Sequence, residues 1–181
     1  MKRQSLKAYL SALALLLASG CAANDSRPDE SSSETILKSI EEGGKPYFQD
    51  LVRTGEYDDL LDKIEAGDEV LIAGAPTLIP YVDASTSVGL RFSLSRAVKH
   101  NPDAVMLLIP EYYNASQLCT IPYIEQSIVV ELRHVWASLA ALRSSDNRTA
   151  AHADCIEIYM ETEHSIVHWL SENCAECFPP Q

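Results

Sequence analysis

From Ile124 to Leu142 the apolar side chains Ile124, Ile128, Leu132, Val135, Leu139 and Leu142 recur at steps of four, four, three, four and three. That is the period of a helix with one buried stripe, and it predicts the clearest amphipathic helix in the chain. A second long helix is predicted over 150–170, where Ile156, Tyr159, Ile166, Val167 and Leu170 recur, with a break near Glu163. Upstream the pattern comes in shorter pieces set off by glycine and proline. Glu34 to Glu42 carries Ile36, Leu37 and Ile40, has Ser31 three residues ahead of Glu34 in the manner of a capping box, and stops at Gly43-Gly44. Pro46 suits the first turn of the next helix, which carries Leu51 and Val52 and ends at Gly55. Tyr57, Leu60, Leu61 and Ile64 form another stripe, closed by Gly67. Residues 68–81 fit strand and helix equally, because Val70-Leu71-Ile72-Ala73-Gly74 is one apolar run. Asp83 or Ser85 caps a predicted helix through Val88, Phe92, Leu94, Ala97 and Val98, and Asn101-Pro102 opens a short one over 103–109 that Pro110 ends. Together these elements predict an all-α, compact helical domain of short packed α-hairpins ending in two longer helices. No period repeats as a solenoid requires.

The first twenty residues follow a different pattern. Lys2, Arg3 and Lys7 precede an apolar stretch from Ala8 through Ala18, and small residues lead to Cys21, which is the layout of a secretory signal. The apolar stretch is about half the roughly twenty residues that a spanning helix needs, so cleavage is expected. Leu17-Ala18-Ser19-Gly20-Cys21 resembles the lipobox of bacterial lipoproteins, with Ala18 where Leu is usual. The resemblance implies a diacylglycerol thioether on Cys21 and an acylated new amino end. Several acyl chains make a durable anchor, since each buried methylene contributes about 0.8 kcal/mol. Ala22 and Ala23 follow the cysteine in place of Asp, and by resemblance to lipoprotein sorting this implies the outer membrane of a Gram-negative cell, with the domain facing the periplasm. Residues 21–33 then form the lipidated cysteine and a polar tether without a large apolar side chain, residues 34–173 the helical domain, and residues 174–181 a tail.

This expectation changes the meaning of charge and cysteine. Removing residues 1–20 takes away three basic and no acidic residues, so the formal charge moves from −12 to −15. Such a charge opposes nucleic acid and anionic lipid and favours a basic protein partner. Lipidation of Cys21 leaves Cys119, Cys155, Cys174 and Cys177, an even number in an oxidising compartment, which permits three connectivities. The preferred pairing joins Cys119 to Cys155, tying a loop to a later helix, and Cys174 to Cys177 as a clip in the tail.

A further resemblance covers roughly residues 55–158. Gly67-Asp68, Asp83-Ala84, the helix through Leu94 and Ala97, Asn101-Pro102 with Val105, Cys119, Ile124-Glu125 and Cys155 together resemble a loosely defined group of small exported bacterial helical proteins, mostly of uncharacterised function. It implies the helical fold and the Cys119–Cys155 bridge, and it assigns no catalytic residue.

Several constellations bear on chemistry. His164 and His168 lie four apart, and Cys174 and Cys177 follow at zinc-knuckle spacing, so the four are candidate zinc ligands. An oxidising compartment favours a disulfide between the two thiols instead, and no cofactor is expected. Asp58, Asp59, Asp62, Glu65, Asp68 and Glu69 form an acidic run without the alternating ligands and central glycine of a calcium loop. At helical spacing it reads as a solvated face, and Asp58, Asp59, Asp62 and Glu65 are candidates to meet a basic partner. Glu157, Glu161 and Glu163 form a second acidic group, and Tyr112 and Tyr113 are candidate aromatic anchors in a loop with Pro110, Pro122 and Tyr123. No motif pairs a nucleophile with its base. The expected function is therefore that of a membrane-anchored, non-enzymatic protein-binding lipoprotein, with an immunity protein against a secreted envelope toxin as its sharpest form. A structural lipoprotein of an envelope complex, a carboxylate wall hydrolase and a zinc protein are the alternatives.

Overall fold

Short polar side chains start the helices in the middle of the chain, because each satisfies a backbone N–H that has no carbonyl partner within its own helix. Asp68 accepts from the Leu71 N–H at 3.0 Å, Asp83 from Ser85 and Thr86 at 3.0 Å, Asn101 from Ala104 at 3.2 Å, and Asn114 from Gln117 at 3.0 Å. Two caps are reciprocal: the Thr86 hydroxyl accepts from Asp83 N–H at 2.8 Å and the Gln117 carbonyl from Asn114 N–H at 2.9 Å. The Thr86 backbone N–H, followed by its hydroxyl, holds the Asp83 carboxyl down at about 2.

The computed structural model describes residues 30–123 and 126–174. Its helices are α1 (Glu30–Thr54), α2 (Glu56–Glu65), α3 (Glu69–Gly74), α4 (Ala84–Ala97), α5 (Pro102–Met106), α6 (Ala115–Leu118), α7 (Ile128–Ser144) and α8 (Ala150–Asn173), with a 3-10 turn at Ala75–Thr77 and no strand among the described residues. The expected all-α domain of short hairpins closed by two longer helices is what folds. Residues 69–77 are helical and 78–81 follow as turns: Leu71, Ile72, Ala75 and Leu78 are all buried, and the capped start and tight turns place them inward without a strand.

Some boundaries move. α1 begins at Glu30, so Ser31 lies within the helix instead of capping it, and residues 30–33 leave the tether that their composition predicts. The reason is tertiary: Ser33 is buried and donates to Asp68 Oδ2 at 2.8 Å. The expected stop at Gly43-Gly44 is present as a kink, with Gly44 at φ 57 and ψ −148 between two helical halves. α8 runs without a break at Glu163. Its buried stripe continues from Tyr159 to Ile166 and Leu170, and no glycine or proline interrupts it. Ile124 lies outside the described residues, and α7 starts at Ile128.

α2 packs against α1 and α4, and α7 and α8 form a hairpin closed by residues 145–149. α5 and α6 join the halves, α5 lying on α3 and α7, and α6 on α4 and α8. The core between them contains Leu71, Leu78, Leu90, Leu94, Val105, Leu118, Val135, Leu142 and Tyr159. Cys119, just after α6, is bonded to Cys155 on α8 with a Cα–Cα distance of 5.3 Å, and both are fully buried. Among the described residues no helix is long and apolar enough to cross a membrane.

Gly67, with φ +94, turns the chain from α2 into α3, and a Cβ there would meet His100 Cβ at 3.0 Å. Gly67→Ala is expected to cost about 2 kcal/mol through left-handed strain alone, checked by urea unfolding. Gly55→Ala, at φ +87 with open space around it, carries the strain without the contact and is the control.

Candidate functional site

The residues expected to meet a partner fall on separate surfaces. Asp58, Asp59 and Asp62 project to solvent from α2, opposite the buried Tyr57, Leu60 and Ile64. Glu65 does not join them. It is half-buried and its Oε2 accepts from Arg96 Nη1 at 3.1 Å, while Arg96 Nη2 donates to the Pro122 carbonyl at 2.7 Å and the guanidinium lies 5.1 Å from the Tyr123 ring. Glu65 is thereby taken from the acidic face into a clamp on the loop after α6, because Arg96 on α4 needs a carboxylate where α2 crosses it. Asp68, as a helix cap, is spent in the same sense. The remaining face is three exposed aspartates.

Tyr112 is exposed and lines a shallow groove with Ile79, Val88 and Arg91. Tyr113 packs against the core, and its burial raises the pKa of its hydroxyl. α4 stands between this groove and the aspartates: Gly89 and Arg96 face α2, whereas Ser87 and Arg91 face Tyr112. The two candidate surfaces are therefore distinct.

His164 and His168 share an exposed face of α8 with ring centroids 6.4 Å apart, and His168 Nδ1 lies 3.4 Å from Glu172. Cys174 ends the helix, and Cys177, like Cys21, lies outside the described residues. Among the described residues no three His, Cys, Asp or Glu side chains converge on a point where a metal ion would sit.

Two buried polar arrangements were not anticipated from the pattern. In the first, His134 on α7 is 3% exposed and meets the Tyr159 hydroxyl through Nε2 at 3.3 Å, with Ser95 and Ser138 fully buried beside them. Ser95 donates to the Thr120 carbonyl at 3.1 Å, and Tyr123 stacks edge-on against His134 at 5.5 Å. Burial, then the charge of Lys99 and more weakly that of Arg96, holds the imidazole down at about 4, against a smaller upward pull from the Thr120 backbone. Burial pushes the Tyr159 hydroxyl up to about 12. This neutral network lies beneath the loop that carries Cys119. The signal for it was His134 and Ser138 at i and i+4, flanking the Val135 stripe.

In the second, Asp103 Oδ1 receives the Ser145 hydroxyl at 2.6 Å and faces His152 Nε2 at 3.0 Å, while His152 Nδ1 lies 2.9 Å from Thr149 Oγ1. Hydroxyl, imidazole and carboxylate in that order make a proton relay in acyl-transfer enzymes. Here Thr149 N–H also points at His152 Nδ1, at 3.4 Å, so the contact is the reciprocal cap of α8. The set ties α5, α8 and the 145–149 turn together. A polar cleft lined by Lys99, His100, Asp103, Ser144, Ser145 and Asn147 opens alongside.

No known protein family, characterised protein or solved structure matches this chain. A functional reading therefore rests on surface chemistry, and the largest unexplained apolar side chains are Trp136, Met160 and Trp169 on the α7–α8 hairpin, each about half exposed.

Proposed function

We propose that the chain is a lipoprotein anchored through Cys21, facing the periplasm, that binds a basic protein partner on the acidic face of α2 as an immunity protein binds a secreted envelope toxin. The observation that carries this reading is the set of three exposed aspartates, Asp58, Asp59 and Asp62, on one side of a short helix whose other side is locked in the core. Fixed like charges on a rigid element give a steering field and cost no reorganisation when a cationic surface arrives. The formal charge of −15 after signal removal acts in the same direction. A structural lipoprotein of an envelope complex is the second reading, and the exposed α7–α8 side chains favour it.

The test uses the full chain, recovered from its own membranes in mild detergent. A basic protein is expected to copurify, with its yield falling as salt rises from about 0.05 M to about 0.5 M. Asp58→Lys, Asp59→Lys and Asp62→Lys together are expected to cut the yield by about tenfold or more while the thermal midpoint stays within a few degrees. A partner held equally well at both salt concentrations, or by the triple variant, refutes the charge-led reading.

A further inference from the structure

Val129, Trp136 and Met160 are 50%, 51% and 49% exposed. Val129 and Trp136 are seven residues apart and so stand on one side of α7. The Trp136 indole N–H donates to Glu163 Oε1 at 2.6 Å, which turns that side toward α8, and Met160 lies one helical turn from Glu163. With half-buried Ile156 and Val167 these side chains make an apolar strip along the seam of the hairpin. Its rims carry opposite charges. On the α7 side stand Arg143, in line with Val129 and Trp136 at the end of the strip, and Arg133 on its outer flank, both exposed; on the α8 side stand Glu157 and Glu161, both exposed, on a helix with five acidic residues and no lysine or arginine. A shallow groove lined by Ala153, Ile156 and Met160 runs along α8 between the strip and its acidic rim.

A uniformly basic or acidic partner would meet a like charge on one of the two rims. A face that is positive along one edge and negative along the other is complementary to itself after a half-turn about its long axis. We propose that this face pairs with the same face of a second copy of the chain, the twofold axis running along the α7–α8 seam, so that α7 of each protomer lies over α8 of the other. The Trp136–Glu163 bond fixes the register of the antiparallel hairpin, and stepping seven residues along each helix places residue 143 level with residues 156–157. Arg143 of one protomer therefore meets Glu157 of the partner subunit, twice per dimer and at the same level on either side of the axis, next to Trp136 and Met160 at the centre, with Val129 toward the other end. This pairing uses a different face from α2 and is independent of the basic-partner reading.

The test is photo-crosslinking of the full chain in its own membrane, with benzoylphenylalanine in place of Met160. An adduct at twice the mass of one chain is expected. Arg143→Glu and Glu157→Arg, each alone, should reduce it by at least about tenfold by setting like charges against one another. The two substitutions together should restore it, which a loss of folding in either single variant would not do. No adduct, an adduct of any other mass, or a double variant as poor as the singles overturns the pairing. Asp58→Lys, Asp59→Lys and Asp62→Lys should leave the adduct unchanged, so the failure of either proposal is visible without the other.

Discussion

Replacing Cys119 and Cys155 together by alanine is expected to lower the unfolding free energy by about 4 kcal/mol, with the folded helices otherwise retained. The bridge spans a sequence separation of 36 and encloses all of α7. Cross-linking the ends of a loop of that length removes conformational entropy from the unfolded chain by roughly this amount. In the folded chain the segment after Cys119 would then depend on the Ser95 hydroxyl at Thr120, Arg96 at Pro122 and the packing of Tyr123. Alanine is the replacement to use, because a serine hydroxyl would be buried at both positions. In thermal unfolding followed by circular dichroism, the midpoint should fall by about 10 °C for a chain of this size. Reductant should bring the wild-type curve toward that of the variant and leave the variant close to where it was. A loss below about 1 kcal/mol would show that native contacts, not the covalent tie, hold this loop.

Acid should destabilise the fold through His134 by about 3 kcal/mol between pH 7 and pH 4. In the folded chain the imidazole stays neutral down to about 4, chiefly because it is buried and then because Lys99 and Arg96 are near. In the unfolded chain it takes up a proton near 6.5. Between those values the unfolded state binds one more proton than the folded state, so stability is complete above about pH 6.5 and falls with pH down to about 4. The measurement is a difference: the pH slope of unfolding free energy in the wild type minus that in His134→Gln. The variant is expected to be the flatter by about one proton across the window. Equal slopes would mean that the Tyr159–His134 pair opens to water before the chain unfolds.

Helix order was legible because it follows from local chemistry. Apolar steps of three and four, a short polar cap and a glycine or proline at each end act within a few residues of one another. α4 is an example, with Asp83, Leu94 and Ala97 each in its expected role, although Val88 of the predicted stripe is exposed and Leu90 is buried in its stead. α6 was missed although its reciprocal cap, Asn114 with Gln117, is written in the chain, because four residues are too few to show a period. The break predicted near Glu163 had only a weak local cause, and the burial of Ile166 and Leu170 decides against it.

Partner surfaces were less legible, because a charge run does not say which of its members fold inward. Asp58, Asp59 and Asp62 were readable as a solvated face from helical spacing alone. The loss of Glu65 to Arg96 was not, since those residues are 31 apart in the chain and meet only where α2 crosses α4. The same holds for Tyr112 and Tyr113, adjacent in sequence yet divided between solvent and core, and for Trp136, whose indole is oriented by a carboxylate 27 residues away.

The chain by itself determines most of its longer helices, the caps at Asp83 and Asn101 and much of the stripe that each helix buries, because those depend on backbone sterics and hydrogen bonds over three or four residues. Tertiary structure alone decides that Ser33 belongs to the domain, that His134 is held neutral and that Arg96 removes Glu65 from the acidic face, whereas the Cys119–Cys155 bridge was expected from the chain and is present. Each of those outcomes depends on desolvation or on an approach between distant segments, and both arise only when the helices pack.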